Sequence, residues 1–261
     1  MICDTLIQTL YEPEPSVVIT GDLDFRAAPE FREAAASLID RHHGVVIDLE
    51  RVTFIDSSGM AALLDSHSRA STEGKSVELK GACDYVRKAL QVSGIASVLG
   101  LQPLTLRSFD DEMCGSSDLR RAEWQVDECV VVGRPVLVAS LRENAAGLAR
   151  EAGLSESEVS DVKLAVGEAL TNALKHGLLP GRDKIRMRCM SCSTAFVVEI
   201  SDQGPGFDPD AITPPIMGEL RSGGLGIHLM RASMDEVDFI FDGEGSKVRM
   251  LKWVRIHCSQ D

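Results

Sequence analysis

The sequence is short of positive charge. It has 27 Lys and Arg residues against 40 Asp and Glu residues, which leaves a formal net charge of −13. Nucleic-acid backbones and anionic lipid surfaces are bound through clustered basic side chains, so this balance argues against general binding to nucleic acid or to a membrane surface. Protein partners that carry basic patches fit this charge better.

Long apolar runs and a basic leader are also missing. Nowhere do about 18 apolar residues run together, and the opening MICDTLIQTLYEPEPSVVIT has no basic region followed by an apolar one. These absences predict a cytoplasmic protein. A chain of 261 residues with 44% hydrophobic residues has room for two ordinary globular domains.

Cysteine is present, but its pattern excludes two common uses. Seven scattered cysteines are an odd number, which argues against a disulfide framework and predicts reduced thiols. The one close pair is Cys189 and Cys192. A zinc site needs a second such pair and a redox motif needs a strand-to-helix junction, whereas this pair lies in a predicted hairpin. We interpret both as ordinary strand and turn cysteines.

The first part of the chain alternates between strand and helix patterns. SVVITGDLD, KSVELKGA and QPLTLRSF read as strands, and GVVIDLERVTFID reads as a strand followed by a loop. Helical periodicity marks APEFREAAASLIDRHH, SGMAALLDSHSRASTEG and CDYVRKALQVSGIASVLG, the last broken at Gly94. The alternation predicts an α/β domain over residues 1–110.

A polar, acidic stretch at residues 111–127 has no steady period and predicts a linker. Residues 128–261 then show two helices separated by GLSES, two strands, a segment rich in glycine and proline, a short helix and two closing strands. This order predicts an α+β sandwich with helices over an antiparallel sheet. A linker of about 20 residues spans roughly 25 Å on average, so tethered domains meet at effective concentrations on the order of millimolar.

Two polar residues of the second half are spaced for chemistry. Glu168 and Asn172 are four apart in a helical pattern and therefore project from one face. An Asn amide oxygen is a ligand suited to Mg²⁺, and a carboxylate one turn away can accept a proton from a hydroxyl nucleophile. Alone, such a pair is more often an ordinary solvated helix face.

Two glycine clusters follow downstream. In EISDQGPGFDP, Asp202 ends a predicted strand and is followed by Gly204 and Gly206, which allow close backbone approach and positive φ. A second cluster directly precedes a helix, where free N–H groups bind phosphate: Gly223, Gly224 and Gly226. Either cluster alone is compatible with a simple turn. Neither forms a Walker loop or a Rossmann fingerprint, and the order of the three elements is more specific than any one of them.

Together EALTNALKHG, DQGPGFDP and RSGGLGIHLMRASMDEV resemble the N box and the two glycine boxes of the GHKL ATPase superfamily. The similarity covers about residues 125–256 and is strongest to the anti-sigma-factor serine protein kinases. It implies a Bergerat ATP-binding fold that uses ATP and Mg²⁺. Glu168 falls on the general base, Asn172 on the Mg²⁺ ligand and Asp202 on the carboxylate that reads the adenine amino group.

The same resemblance implies further site residues. The other positions that match nucleotide-binding residues of the family are Gly204, Gly206, Arg221, Gly223, Gly224, Gly226 and Ser246. Ser246 stands where the family usually has threonine, and it keeps the hydroxyl. Arg142, in the first helix of this half, matches an arginine that the family uses at its protein-binding face. A homodimer is likewise implied by the family.

In the first half, ITGDLD, VVIDLERVTFIDSSGMAALL and the later SGI resemble the STAS domain of anti-sigma-factor antagonists. In that family the first serine of this motif is the phosphoacceptor, which implies Ser57 here. A competing interpretation is that Ser57 or Ser58 only caps a helix beginning near Gly59. On the phosphoacceptor hypothesis, Ser58 is the structural hydroxyl.

Both resemblances together predict a partner-switching regulator of transcription. Its kinase domain would phosphorylate Ser57, in the same chain or in a separate STAS-domain protein, and release would free the kinase face for a sigma factor. A PP2C-type phosphatase would then be a further partner. Three alternatives stay open: a nucleotide-gated binding module without phosphotransfer, a domain that only hydrolyses ATP, and a relative of histidine kinases. The last usually has a lid longer than residues 209–222 and a phosphorylated histidine in an upstream dimerisation helix.

Overall fold

A computed structural model describes residues 5–101, 123–178, 183–206, 224–241 and 245–254 of the chain. The chain divides into two compact units, one built on a four-stranded sheet and the other on a five-stranded sheet. Within the described ranges, no helix is long and apolar enough to cross a membrane.

The first unit contains four strands and three helices in alternating order. They are β1 (Leu6–Leu10), β2 (Ser16–Leu23), α1 (Ala28–Arg41), β3 (Gly44–Ile55), α2 (Ser57–Thr72), β4 (Ser76–Lys80) and α3 (Asp84–Val92). The sheet order is β1-β2-β3-β4, with β2, β3 and β4 parallel and β1 antiparallel to β2. This mixed sheet with helices confirms the predicted α/β class.

The core of this unit lies between the sheet and the pair α1 and α2, which pack against each other. Helical spacing puts Phe31 and Leu38 on the buried face of α1, and Met60 and Leu63 on that of α2. Phe54 is the large buried side chain near the end of the central strand β3. Each such side chain contributes about 1.5–3 kcal/mol through burial.

Two details of the first unit differ from the sequence expectation. GVVIDLERVTFID is one continuous strand, β3, because its second half pairs with β2 as far as Ile55. Strand β1 was not predicted, since its side chains are largely exposed and its apolar residues follow no clear alternation. Gly94 ends the helical stretch as expected, with a φ of 75° just after α3. The strand predicted for QPLTLRSF lies outside the described residues.

The rest of the chain contributes five strands and three helices. They are β5 (Gln125–Val132), α4 (Leu137–Glu151), α5 (Glu156–His176), β6 (Lys184–Ser191), β7 (Ala195–Asp202), α6 (Leu225–Ser233), β8 (Glu236–Phe241) and β9 (Ser246–Trp253). The sheet order is β5-β6-β7-β9-β8, and all neighbours are antiparallel. Helices over an antiparallel sheet confirm the predicted α+β class. Strand β5 begins at Gln125, inside the predicted linker 111–127, so regular structure starts earlier than expected.

Helix α5 is the longest element, at 21 residues. It begins with a capping box, in which the Glu158 backbone N–H donates to Ser155 Oγ and the Ser155 backbone N–H donates to Glu158 Oε2 at 2.8 Å. It ends at Gly177, just after the basic pair Lys175 and His176, which suit a helix C-terminus. The helix packs against α4 and against β7 and β9 of the sheet.

An ion cluster around a buried lysine ties α5 to the sheet. Lys252 of β9 is 7% exposed, and its Nζ donates to the Ser233 carbonyl at 2.7 Å. The same Nζ lies 3.4 Å from Asp161 on α5 and 3.6 Å from Asp235. Asp235 in turn accepts from the backbone N–H of Trp253. The cluster therefore fixes the first half of α5 relative to β9.

Candidate functional site

Helix α5 holds the two polar residues predicted for catalysis. Glu168 is fully buried, and Asn172 one turn later is half-buried. The surrounding residues of the helix are small or aliphatic and face the core, among them Ala169 and Ala173. The pair thus lies on a rigid, well-packed helix and not on a solvated face.

Asp202 lies at the end of β7 with both carboxylate oxygens engaged. Oδ1 accepts from the Gly204 backbone N–H at 2.9 Å, and Oδ2 accepts from Ser246 Oγ at 2.7 Å. The second bond follows from the sheet register, because Asp202 on β7 is the direct partner of Ser246 on β9. The orientation of the carboxylate is therefore set by groups from two strands.

Glycines surround Asp202 so closely that no side chain fits in their place. A Cβ at Gly177 would lie 2.3 Å from Asp202 Cγ, and one at Gly245 would lie 2.1 Å from the Asp202 carbonyl oxygen. A Cβ at Gly204 would lie 2.5 Å from the Gly177 Cα. The end of α5, the turn after β7 and the start of β9 meet at this carboxylate.

The second glycine after Asp202 is needed for its backbone and for space. Gly206 has a φ of 74°, a left-handed conformation that other residues rarely adopt. A Cβ there would lie 2.6 Å from Cδ1 of Phe241 at the end of β8. The structure thus brings together Asp202, Gly204, Gly206 and Ser246 of the predicted site.

The glycine cluster before α6 is described in part. Gly224 has a φ of 94° and directly precedes the helix, whose first turn contains the buried Gly226. A turn of this kind exposes the first N–H groups of a helix, the usual setting for phosphate. Arg221 and Gly223 lie outside the described residues.

Arg142 is buried, in contrast to what a residue at a docking face requires. It lies on α4 with its side chain 3% exposed, and its Nη2 is 3.6 Å from Glu143 Oε1. Glu143 also pairs with Lys163 of α5 at 2.8 Å. The Arg142 side chain is therefore enclosed within the domain in this structure, and its role in partner binding stays a prediction.

In the first unit, the predicted phosphoacceptor lies at the start of α2. Helix α2 begins at Ser57, and its N-cap is Asp56, whose Oδ1 accepts from the backbone N–H groups of Ser58 at 2.8 Å and Gly59 at 2.9 Å. The expectation that a serine caps a helix beginning near Gly59 is therefore wrong. A carboxylate outcompetes the hydroxyls because its negative charge is favoured at a helix N-terminus. The cap role does not explain Ser57.

Buried carboxylates support this helix start, and sequence reasoning did not single them out. Asp56 is fully buried, and its Oδ2 accepts from the Phe25 backbone N–H at 3.0 Å. Asp24 accepts from the N–H groups of Arg26 and Ala27, which begins the turn into α1. Asp22 accepts from Thr53 Oγ1 at 2.8 Å across β2 and β3. The signal was present in the sequence as the motif ITGDLD, which carries two of the three.

One further residue of the second unit, Gly177, was not identified from the sequence as part of the site. It directly follows α5 and looks there like an ordinary helix terminator. Its closeness to Asp202 follows from the docking of the helix on the sheet, which no local pattern reveals.

The pair Cys189 and Cys192 occupies a strand and a turn, as the sequence predicted. Cys189 lies on β6 and is buried, and Cys192 lies in the turn between β6 and β7. Burial, with added repulsion from Asp127 and Cys129, raises the pKa of the Cys189 thiol to about 12. In the part of the chain that the structure describes, no group of three His, Cys, Asp or Glu side chains is arranged to hold a metal ion.

Comparison with known proteins agrees with this architecture. Residues 131–252 match the histidine kinase-like ATPase domain family, and residues 11–103 match the family described as Mlab, STAS domain. The fold and the site thus define a STAS domain joined to an ATPase domain of the histidine-kinase-like class.

Relatives of the second half carry a more specific name. The serine-protein kinase RsbW of Listeria monocytogenes serovar 1/2a is 35% identical over 130 residues, which cover 46% of this chain and 82% of that protein. The Staphylococcus epidermidis RsbW is 33% identical over 129 residues, covering 45% and 80%. The chain belongs to the RsbW family of serine-protein kinases.

Two solved structures are also similar. The unphosphorylated anti-sigma factor antagonist SpoIIAA matches with a TM-score of 0.33 and 25% identity, covering 38% of this chain and 89% of that one. The RsbU and RsbW domains of Rv1364c from Mycobacterium tuberculosis match with a TM-score of 0.35 and 14% identity, covering 48% and 32%.

Proposed function

We propose that this protein is a Mg-ATP-dependent serine kinase that phosphorylates Ser57 of its own STAS domain or the equivalent serine of a separate STAS protein. One observation carries the proposal. Asp202, held by Gly204 and Ser246, lies against the end of the helix that bears Glu168 and Asn172. A base-reading carboxylate and the two groups suited to phosphoryl transfer therefore belong to one rigid assembly.

The surroundings of Asp202 suit a flat purine. The carboxylate keeps further lone pairs after accepting one bond on each oxygen, so it can also accept from an exocyclic amino group. Glycines at positions 177, 204 and 245 remove side chains from its neighbourhood and let backbone approach closely. These features fit the adenine end of ATP.

The residues present also fit Mg²⁺ bound mainly through its substrate. Mg²⁺ usually takes one or two protein oxygens and completes its shell with water and phosphate oxygens. Asn172 on α5 would supply one such protein oxygen through its amide group. When bound, the ion would neutralise charge on the phosphates.

Glu168 is proposed to accept the proton of the attacking serine. The serine oxygen forms a bond to the γ-phosphorus, the bond from that phosphorus to the bridging oxygen breaks, and ADP leaves. The proton of the hydroxyl passes to the Glu168 carboxylate. A buried, helix-mounted carboxylate suits this role because its position is fixed and water around it is sparse.

Ser57 is a suitable acceptor for a structural reason. It is the first residue of α2, half-buried, while the neighbouring Asp56 performs the capping. Phosphorylation would add roughly 1.5 to 2 negative charges there, next to the buried carboxylate of Asp56. Such a charge change would release the STAS domain from the kinase.

Release would free the kinase face for a sigma factor or another target, and a phosphatase of the PP2C type would reset Ser57. These partners, and a kinase homodimer, rest on the family membership of the two domains. Arg142 is the residue proposed for the partner-binding face.

Intact mass after incubation with Mg-ATP tests the central claim. The wild-type chain should gain the mass of one phosphoryl group, Ser57→Ala should gain none, and the matched control Ser58→Ala should still gain it. No gain in the wild type would exclude Ser57 as the acceptor and leave a kinase of a separate STAS protein, a binding module or an ATP-hydrolysing domain. Steady ADP release without protein labelling would identify the last. Acid-labile label on the protein would instead favour the histidine-kinase alternative.

A mixing experiment separates transfer within one chain from transfer between chains. Ser57→Ala chains keep the kinase site but lack the acceptor, and Glu168→Ala chains keep the acceptor but lack the base. If one carries a size tag, label on the Glu168→Ala chain requires transfer in trans. If the wild-type chain is labelled but neither chain is labelled in the mixture of Ser57→Ala and Glu168→Ala, transfer occurs within one chain.

A further inference from the structure

Gly177 occupies its position for a steric reason and not a conformational one. It is the C-cap of α5, and its φ of −95° is one that any residue can adopt. A Cβ at this position would lie 2.3 Å from Asp202 Cγ and 2.6 Å from both Asp202 Cβ and Oδ1. Contacts this short are essentially never made, so a side chain here would have to displace Asp202.

The opposite side of the contact is equally close. A Cβ at Gly204 would lie 2.5 Å from the Gly177 Cα and 2.8 Å from the His176 carbonyl oxygen. The end of α5 and the turn after β7 therefore meet backbone to backbone. This contact sets the distance between the helix that carries Glu168 and Asn172 and the carboxylate at the end of β7.

The Asp202 side chain has little freedom to avoid an added methyl group. Its two oxygens are held by the Gly204 N–H and the Ser246 hydroxyl at 2.9 and 2.7 Å. Rotating the carboxylate breaks these hydrogen bonds, and moving α5 away breaks the backbone contact. Either change alters where Asp202 points.

We infer that Gly177 is a positioning residue that sets the orientation of Asp202 and thereby the selectivity of the site for a purine with a 6-amino group. The inference rests on the proposed function, in which Asp202 accepts from that amino group. A site built around a hydrogen bond rejects a ligand that lacks the donor, because its own polar group is then left unpaired. Misplacing Asp202 removes this discrimination while leaving the phosphate end of the site in place.

The test compares Gly177→Ala with Gly147→Ala in the full chain. Gly147 is a matched control because it is also a glycine of a helix in the same unit, and a Cβ there meets nothing within 4 Å. Equilibrium binding is measured for Mg-ATP and for the Mg complex of purine riboside triphosphate, which lacks the 6-amino group. Wild type and Gly147→Ala should prefer ATP. Gly177→Ala should lose about tenfold or more in ATP affinity, as expected for a hydrogen bond to a charged group, and its preference should fall toward one.

A second background shows whether Gly177 acts through Asp202. Asp202→Gly removes all three atoms that the added methyl group would meet. Adding Gly177→Ala to Asp202→Gly should change the affinity for either nucleotide by no more than about twofold. The effects of the two substitutions are not additive, because Gly177→Ala acts through the side chain that Asp202→Gly has already removed. Where Gly177→Ala alone fails to fold, the double variant should recover a cooperative thermal transition.

Several outcomes would overturn the inference. One is a Gly177→Ala chain that keeps the preference for ATP, or that loses affinity for both nucleotides equally. Another is an additive loss in the double variant, or failure of that variant to fold. A wild-type chain that shows no preference for ATP would overturn the proposed role of Asp202 as well. If the wild type prefers ATP and Gly177→Ala keeps that preference, the inference about Gly177 is overturned, while the proposed role of Asp202 stands.

Discussion

Asp56 stabilises two segments of the first domain with its two carboxylate oxygens. Oδ1 accepts from the first free N–H groups of α2, and Oδ2 accepts from the Phe25 N–H beyond the end of β2. Ser57, next in the chain, is thereby released from the capping role that the sequence suggested for it. The acceptor proposed for phosphorylation and the residue that holds its helix are separate.

This separation predicts that Asp56→Ala is far more destabilising than Ser57→Ala. Loss of the cap costs about 1–2 kcal/mol, and loss of the hydrogen bond from the part-buried Phe25 N–H adds about 1 kcal/mol. Urea unfolding followed by circular dichroism measures both variants. Hydrogen exchange of residues 57–72 checks that the loss is local to α2. Equal losses in the two variants would contradict the assignment of the cap.

Cys189 gives a prediction about chemical reactivity and pH. Its pKa of about 12 keeps the thiol protonated at pH 8, and alkylating reagents attack the thiolate. Cys189 should therefore resist iodoacetamide in the native chain, while Cys192 in the adjacent turn reacts faster, as peptide mass spectrometry would show. Rapid native modification of Cys189 would contradict its burial.

The same pKa has a consequence for stability. The native thiol binds its proton more tightly than an unfolded one with the ordinary pKa of 9.0. Between about pH 9 and pH 12 the unfolded chain has lost this proton and the native chain has kept it, so the contribution to stability falls as pH rises. Replacing Cys189 by Ala should remove this part of the alkaline dependence in urea unfolding.

At the scale of elements, α5 is held at both of its ends by contacts with the sheet. The cluster of Asp161, Lys252 and Asp235 fixes its first half, and Gly177 fixes its end against Asp202. Glu168 and Asn172 lie between these two points. Their positions relative to the sheet are therefore determined by packing along the whole helix.

Removing the cation of this cluster should destabilise the second domain. Lys252→Met takes the charge of Lys252 away from Asp161 and Asp235, whose side chains are 14% and 22% exposed. Breaking a fully buried pair costs about 3–5 kcal/mol, so for these part-exposed carboxylates we expect about 1–3 kcal/mol. Lys184→Met, at an exposed position of strand β6 in the same sheet, should change stability by less than about 0.5 kcal/mol. Urea unfolding followed by tryptophan fluorescence measures both. Similar small losses would show that the cluster contributes little.

Strands were harder to predict than helices in both units. Helices α1, α2, α4 and α5 were recognised because their apolar residues recur with the helical period, and α2 and α5 also begin at a capping side chain. Strands β1 and β5 were missed, because each lies at the edge of its sheet and has mostly exposed side chains. An edge strand forms because it pairs with one neighbouring strand. For β5 that neighbour is β6, which lies about 50 residues later in the sequence.

Strand pairing in the second domain creates a row of alternating charges across the sheet. Each of the five strands contributes one charged residue to this row, and each residue pairs directly with one of opposite charge. In sheet order they are Glu128, Arg188, Glu199, Arg249 and Asp238. Opposite charges on neighbouring strands are favourable, whereas a slip of one residue would break every pair. The row therefore helps to specify the register that places Ser246 beside Asp202.

At the scale of the whole molecule, ligand binding should stabilise only one of the two domains. Both tryptophans, Trp124 and Trp253, belong to the second unit, so their fluorescence reports its unfolding. Mg-ATP at 100 times its dissociation constant stabilises the state that binds it by about 2.7 kcal/mol. The tryptophan transition should shift to higher temperature.

The controls for this prediction use the other domain and the site itself. Hydrogen exchange of α1 and α2 in the Glu168→Ala chain, which cannot modify Ser57, should not change when nucleotide is added. Asp202→Ala should abolish the tryptophan shift. A shift that persists in Asp202→Ala would place the nucleotide elsewhere.

The sequence by itself determined the two fold classes, the Glu168 and Asn172 pair, the order of the glycine clusters and the motif at Ser57. These features are local, since each depends on a period or spacing within a few turns or one strand. Only the tertiary structure decided that Asp56 is the cap, that Lys252 ties α5 to the sheet, and that Gly177 and Gly245 enclose Asp202. The cap itself is local, but the contacts that hold Asp56 and Asp202 in place join distant segments: Phe25 and Asp56 are 31 residues apart, and Ser246 and Asp202 are 44 apart. Distance along the chain hides such contacts from any local pattern, and packing alone brings them together.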